Sequence, residues 1–388
     1  MGRDTKSSII ELPVQLTLTD EGEYFFNQRH RTNEYMQGRS QVDPGAVVLH
    51  RYSAKTLQRL VYAGYISRLE VSRSDFTSKR TEIMDLAKLI AYGVLYKEYS
   101  GKLAKAIKEA PMVVLWNRKN PGGALNIQTI LQQNKNKEYT QQIEKVRPVF
   151  KEAVEEIFRL HSPELEEMSQ EEDQQLRLKG QNFLEQLNPL IWALLARERG
   201  ETHNFSSTIK ALEGVVWSYL TKTNIADYLS LLVLELATLS EKSLMQKAVD
   251  NYLQGKVDLE HFMKNRNDRL KVLESMEAHN EKATISWRIQ GRHGTVTETN
   301  PFQIMFFNQS TEADSIRRDI EDKKHLQTQG KDLSEFYSHL TADHDDQLGL
   351  YYLTYLQEEC RRQGTLFDSY VNRFEQHDIS FITLAMRF

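Results

Sequence analysis

A single cysteine, Cys360, stands among 388 residues. That rules out an internal disulfide framework and any cysteine-rich metal site, and it suits a reducing compartment. Charge of one sign is also missing. The 50 Lys and Arg against 54 Asp and Glu leave a formal charge of -4, so the chain as a whole selects neither nucleic acid nor an anionic membrane. No apolar run approaches the roughly 18 residues of a spanning helix, and the opening MGRDTKSSIIELPVQ lacks the apolar core of a secretion signal. Cytoplasm is the expected location, and no membrane partner is expected. GxSxG, Walker A, HExxH and CxxC are absent too, and with them the sequence signatures of several hydrolase, P-loop and metal chemistries. No resident metal is expected.

What is present is core-forming material: 40% of residues are hydrophobic and 27% charged. A chain this long exceeds one hydrophobic core, so two or three domains are expected. Residues 9–18, IIELPVQLTL, read as a strand that Pro13 pushes toward a sheet edge. AKTLQRLVYAGYISRL and TEIMDLAKLIAYGVLYKEYSGKLAKAIKEA place apolar residues at helical spacing, Leu57, Leu60 and Val61, then Ile83, Leu86, Leu89, Ile90 and Val94. PMVVLWN (111–117) reads as a buried strand, and Pro-Gly-Gly after it marks a turn. Residues 151–175 hold nine acids against Lys151 and Arg159, the composition of a solvated helix face or linker. The helix FLEQLNPLIWALLARERG bears a stripe of Leu184, Leu187, Leu190, Ile191, Leu194 and Leu195. That stripe calls for cover, from the 209–220 helix or from a second copy of the chain. The division expected is a largely helical N-terminal domain at 1–130, a partly acidic helical connector at 131–204, and an α+β domain at 205–388.

Order is the informative feature of the last 180 or so residues. The helix ADYLSLLVLELATL precedes a polar helical region, and the strand ISWRI follows with Ile285, Trp287 and Ile289 on one face. A second strand, PFQIMFFNQS, comes next, then DDQLGLYYLTYLQEECRRQG, a helix capped by Gly364, and two terminal strands, LFDSYVNRF and DISFITLAMRF. This succession resembles the GHKL, or Bergerat-fold, ATP-binding domain of sensor histidine kinases, gyrase, Hsp90 and MutL. It is nearest to a bacterial branch with a long helical insertion. The resemblance covers residues 205–388 and implies a helix-and-sheet sandwich; it does not extend to the N-terminal half.

The resemblance also marks departures. The family's N-box helix bears Glu-x-x-x-Asn, and the matching positions here are Glu235 and Leu239. Magnesium wants oxygen ligands, and leucine has none. The adenine-binding aspartate corresponds to the neighbourhood of Asn308 and Gln309, either of which could accept from a purine amine while bringing an NH₂ that needs its own partner. The phosphate-binding Gly-Leu-Gly-Leu appears as Gln347-Leu348-Gly349-Leu350, so a side chain crowds a turn where glycine lets backbone N–H groups approach. Asp343, Asp345 and Asp346, with His344 among them, would face the phosphates. The resemblance therefore implies a vestigial nucleotide pocket with no magnesium function and no cofactor, except for residual, magnesium-independent purine binding. His161 and His203 read as structural histidines rather than phosphorylation sites.

The reading that follows is a non-catalytic regulatory or scaffold protein acting through protein–protein contacts. Two alternatives stand beside it. One is an active ATPase or histidine-kinase-like enzyme. The other is a nucleic-acid-binding regulator: residues 51–108 hold 12 bases against 5 acids, interleaved with tyrosines, and Arg51, Lys55, Arg59, Arg68, Arg73, Lys79 and Arg80 are its candidate phosphate contacts.

Overall fold

The computed structural model describes residues 9–28, 36–39, 46–109, 111–119, 121–123, 155–161, 169–185, 205–252, 265–291, 301–308, 317–318, 320–322, 351–374 and 379–388. The fold is α+β. Among the described residues ten strands run as β1 (Ile9–Ile10), β2 (Val14–Leu18), β3 (Met36–Arg39), β4 (Ala46–Leu49), β5 (Tyr52–Ser53), β6 (Ile66–Arg73), β7 (Ala283–Arg288), β8 (Phe302–Asn308), β9 (Leu366–Phe374) and β10 (Ile379–Arg387). Helices whose bounds lie within the described residues include α1 (Asp20–Gln28), α2 (Ala54–Tyr62), α3 (Arg80–Glu109), α4 (Pro111–Lys119), α5 (Gln170–Glu185), α6 (Phe205–Tyr252), α7 (Arg266–Ala278) and α8 (Tyr351–Arg362).

The chain divides into two compact units, one of residues 1–94 with 224–388 and one of residues 95–223. This differs from the expected three-part division at 130 and 204. Both boundaries fall inside long helices, α3 and α6, where composition does not change and a sequence reading has nothing to detect.

The first unit is built on an eight-stranded sheet in the order β3-β4-β2-β6-β7-β8-β10-β9, antiparallel at every pairing. The strands expected near residues 285, 302, 366 and 379 are β7 to β10. They continue directly into strands from residues 1–94, because β6 pairs β7 from Arg68↔Arg288 to Arg73↔Ala283. Period-two alternation gives the sheet one apolar face. Val47, Leu16, Leu69, Trp287, Ile304, Leu384 and Ser369 stand in register across seven strands, all buried. Full burial of each large apolar side chain in such a row is worth about 1.5–3 kcal/mol. The other face is more polar, with Gln15, Glu70, Ser286, Met305, Thr383 and Tyr370 in register. Helices supply further core side chains, among them Ile83, Leu86 and Ile90 of α3, Leu229, Leu232 and Leu236 of α6, and Leu353 and Leu356 of α8. Tyr228 of α6 stacks on Tyr355 of α8 with centroids 6.0 Å apart.

Three local readings are corrected. The expected strand at 9–18 is two strands, because Pro13 removes a ladder donor and the Glu11 and Leu12 N–H groups donate instead to Glu82 Oε2, at 3.0 and 2.8 Å. The expected helix 54–69 ends at Tyr62: Gly64 adopts φ +72°, Tyr65 N–H donates to the Leu60 carbonyl at 3.0 Å, and Ile66 opens β6. The expected strand 111–117 is helical as α4, with Pro111 in the first turn, where its missing N–H costs nothing.

In the second unit α5 begins with a reciprocal cap, in which Ser169 N–H donates to Glu172 Oε2 at 2.9 Å and Glu172 N–H donates to Ser169 Oγ at 3.3 Å. At its other end Phe183 and Leu184 are buried, and Phe183 lies 4.3 Å from Tyr219 of α6 and 5.3 Å from Tyr96 of α3, centroid to centroid. The rest of the 183–199 stripe lies outside the described residues.

Candidate functional site

Glu235 and Leu239 both lie on α6, a helix of 48 residues that extends well past the expected 226–239 at each end. Four residues apart, they share one helix face, and both side chains are partly buried. Leu239 offers hydrocarbon where a magnesium ligand would need oxygen. Asn308 is the last residue of β8, opposite Ser380 of β10. Gln309, Gln347 and Gly349, with Asp343, His344, Asp345 and Asp346, lie outside the described residues. No group of three or more His, Cys, Asp or Glu placed to hold a metal occurs among the described residues.

Two residues beyond Leu239, about 200° round the helix at roughly 100° per residue, α6 carries a group that the sequence reading missed. Glu241 is buried, yet it is fully engaged. Its Oε2 accepts from Phe76 N–H and Thr77 N–H, both at 2.7 Å, and from Thr77 Oγ1 at 3.0 Å. Its Oε1 accepts from Arg269 Nη2 of α7 at 2.6 Å. The same Nη2 reaches Asp75 Oδ1 at 2.6 Å, and Asp75 Oδ1 also accepts from Ser78 N–H at 3.1 Å. Two carboxylates thus sit where the chain turns from β6 into α3, receiving N–H groups that a helix start leaves without intrahelical partners. Burial pushes the Asp75 carboxyl up, but the Ser78 donors and the Arg269 guanidinium outweigh it and hold it below its ordinary value. Burial lowers Arg269, and Glu241 and Asp75 outweigh that and raise it. The cluster joins segments 28, 165 and 194 residues apart in sequence, beyond any local pattern. The one local signal was Asp75, which stands three residues before Ser78 at the start of a helix.

Glu82, near the start of α3, has a similar role. Besides the Glu11 and Leu12 amides it takes Lys79 Nζ at 2.6 Å. Burial raises its carboxyl, while Lys79 and the two amides outweigh that and lower it.

The seven basic candidates do not share one surface. Arg51, Lys55 and Arg59 are exposed around α2. Arg68 and Arg73, an odd number of positions apart on β6, belong to opposite faces of the sheet. Arg73 Nε donates to the Asp75 carbonyl at 2.9 Å, and Lys79 is bound to Glu82. Arg80 opens α3 exposed. Arg68 has Arg288 beside it in register and Glu70 Oε1 at 3.6 Å.

His161 stacks on Trp217 with centroids 3.8 Å apart and planes 4° from parallel, and its Nε2 lies 3.2 Å from Glu213 Oε1. That is a packed ring. His203 lies outside the described residues.

The fold and these contacts define an α+β protein whose central sheet is shared between its N-terminal and C-terminal segments. The chain belongs to the DUF8084 family, a family of unknown function, which it matches over residues 5–388. It is similar over its whole length to an uncharacterized protein of Treponema pallidum (strain Nichols), with 27% identity over 398 aligned positions covering 100% of both chains. No solved structure matches it.

Proposed function

We propose that the chain is a non-catalytic regulatory or scaffold protein that acts in the cytoplasm through protein–protein contacts, built on a sandwich resembling the ATP-binding domain of sensor histidine kinases. The observation that supports this reading is the pair on α6: Leu239 follows Glu235 by one helical turn and replaces an oxygen ligand with a methyl-bearing side chain. Without magnesium and ordered phosphates beside it, Glu235 has no polarised water to act on. Purine affinity, where it survives, belongs to the adenine end around Asn308 and Gln309 and does not depend on magnesium.

Calorimetric titration with ATP, with and without Mg²⁺, tests the reading on the unmodified protein and on Leu239→Asn. Losing a metal ligand and an oriented phosphate turn costs a few kcal/mol each, and about 4 kcal/mol weakens binding near a thousandfold. The expected result is no magnesium-dependent binding by the unmodified chain. Tight binding that requires Mg²⁺ would replace this reading with the ATPase alternative.

A further inference from the structure

One face of the eight-stranded sheet is core, and the more polar face is ordered in bands. Side chains on a sheet face repeat every second residue, so cross-strand neighbours line up in bands about 6.7 Å apart that run across the strands. Three successive bands of the polar face differ in chemistry. In the first, Thr17, Arg68, Arg288 and Gln303 stand in register on β2, β6, β7 and β8. The second has Ser286, Met305 and Thr383 on β7, β8 and β10. In the third, Phe307 pairs with Phe381, and Phe381 has the Phe307 and Phe374 rings at centroid distances of 6.1 and 5.4 Å. Solvent reaches all of this. Phe374 is 59% exposed, Arg288 is exposed, and Arg68, Gln303, Met305, Phe307 and Phe381 are half-buried.

Each band carries a cost that the described residues do not offset. Arg68 and Arg288 set two guanidinium groups directly opposite each other, an arrangement that repels. Glu70 Oε1, at 3.6 Å from Arg68 Nε, offsets one of the two charges. Ser286 and Thr383 are 0% and 1% exposed, and neither hydroxyl has a hydrogen-bond partner among the described residues. Burying an unbonded hydroxyl is unfavourable. The third band holds a cluster of aromatic rings at the surface, which folded chains limit unless the surface is used. An occupant with anionic groups along one side, polar atoms in the middle and flat rings along the other relieves all three.

From this placement we propose that the polar face of the sheet binds single-stranded nucleic acid, with phosphates on Arg68 and Arg288, bases against Phe307, Phe381 and Phe374, and the sugars passing over Ser286 and Thr383. The chemistry selects this occupant. Guanidinium groups hold phosphate oxygens through charge-assisted hydrogen bonds, and an aromatic surface accepts any unstacked base because every base has a π-face. A duplex keeps those faces in its own stack and offers only backbone and groove. An acidic peptide meets the arginines but brings no regular series of planar rings. Of the seven basic candidates read from the sequence, only Arg68 stands in these bands, and its neighbour Arg288 comes from the C-terminal segment. The proposal does not rest on the α6 pair, and it is compatible with either outcome of the ATP titration.

Fluorescence anisotropy of the full chain with labelled oligo-U, oligo-dT and an RNA duplex tests it. Either single strand should bind at least about tenfold more tightly than the duplex, and a preference for one sugar supports the proposal and identifies the strand. With two phosphates neutralised, affinity should fall roughly sevenfold between about 50 and about 200 mM salt. Arg288→Glu and Phe374→Ala, both at exposed positions, should each raise Kd at least about tenfold, with an unchanged circular dichroism spectrum. Arg59→Ala, on α2, should leave Kd as it is. Absence of single-strand binding at low salt overturns the proposal. So does equal binding of the duplex, and so does binding that Arg59→Ala weakens while Arg288→Glu and Phe374→Ala leave it intact.

Discussion

Arg269 Nη2 lies 2.6 Å from Glu241 Oε1, a guanidinium from α7 on a buried carboxylate of α6. The pair does more than neutralise charge. Glu241 also takes the Phe76 and Thr77 amides between β6 and α3, so one carboxylate joins three segments of the first unit. Removing Arg269 leaves Glu241 buried without its counter-charge, and removing Glu241 leaves Arg269 with Asp75 but takes the acceptor from Phe76 N–H, Thr77 N–H and Thr77 Oγ1.

Glu241→Ala should therefore destabilise the first unit by about 3–5 kcal/mol, read as a shift in the urea midpoint. Arg269→Ala should cost a comparable amount. The double variant should cost clearly less than the two together, because the groups share one network. Strict additivity would show that the contact contributes nothing by itself.

Asp75 and Glu82 set the acid limb. Both carboxyls are lower in the folded chain than in the unfolded one, from ordinary values of 3.8 and 4.5. The unfolded chain then binds more protons in that range. The stability they contribute is complete above the ordinary values and falls as pH drops through the folded ones. Denaturation midpoints measured between about pH 6 and pH 3 should decline below roughly pH 4.5. Asp75→Asn should make that decline shallower, and an unchanged slope would mean that other carboxylates control it.

Gly22 and Gly101 should respond oppositely to alanine. A Cβ on Gly22 would lie 2.2 Å from the Tyr65 carbonyl oxygen, a backbone atom fixed by its bond from Thr19 N–H at 3.0 Å. Gly22→Ala should cost about 1–3 kcal/mol. A Cβ on Gly101, inside α3, meets nothing within 4 Å, and Gly101→Ala should stabilise by about 0.5–1 kcal/mol. Thermal denaturation of the two variants checks both signs.

Gln290 should matter more than an isolated surface amide. It is buried, and its Nε2 donates to the Gly64 carbonyl at 2.6 Å and the Ile66 carbonyl at 3.1 Å. Gln290→Leu removes this donor from both carbonyls, the Gly64 carbonyl keeping Thr19 Oγ1 at 2.9 Å, at about 1–3 kcal/mol. Hydrogen exchange should speed up at Tyr65 to Ser67 before it changes in β10.

The C-terminal strands were legible because each is a short apolar alternation with its own punctuation, and Gly364, at φ +61°, ends α8 where its sequence placed it. Gly64 carried the same signal, but apolar residues continue in helical spacing on both sides of it, and that spacing conceals a turn. Nothing local reveals that β6 is the neighbour of β7. Partner choice in a sheet depends on which apolar faces meet, and Leu69 and Trp287 are both simply large and apolar when read alone. The α6 pair Glu235 and Leu239 was visible as a spacing. Glu241 was not, because its donors come from distant segments and none of them is a motif.

The pairing of β6 with β7 also sets a schedule for synthesis. Ser72 and Thr284, whose hydroxyls meet at 2.8 Å, are 212 residues apart. At roughly 5–20 residues per second a ribosome takes on the order of ten to forty seconds to cover that interval. The whole of the second unit, residues 95–223, emerges meanwhile, free to fold on its own. Through that time β2, β3, β4 and β6 can pair only among themselves, and the side of β6 that will take β7 is an open edge. A nascent chain stalled before residue 283 would expose that edge, so the chain is open to wrong strand pairing while it is being made.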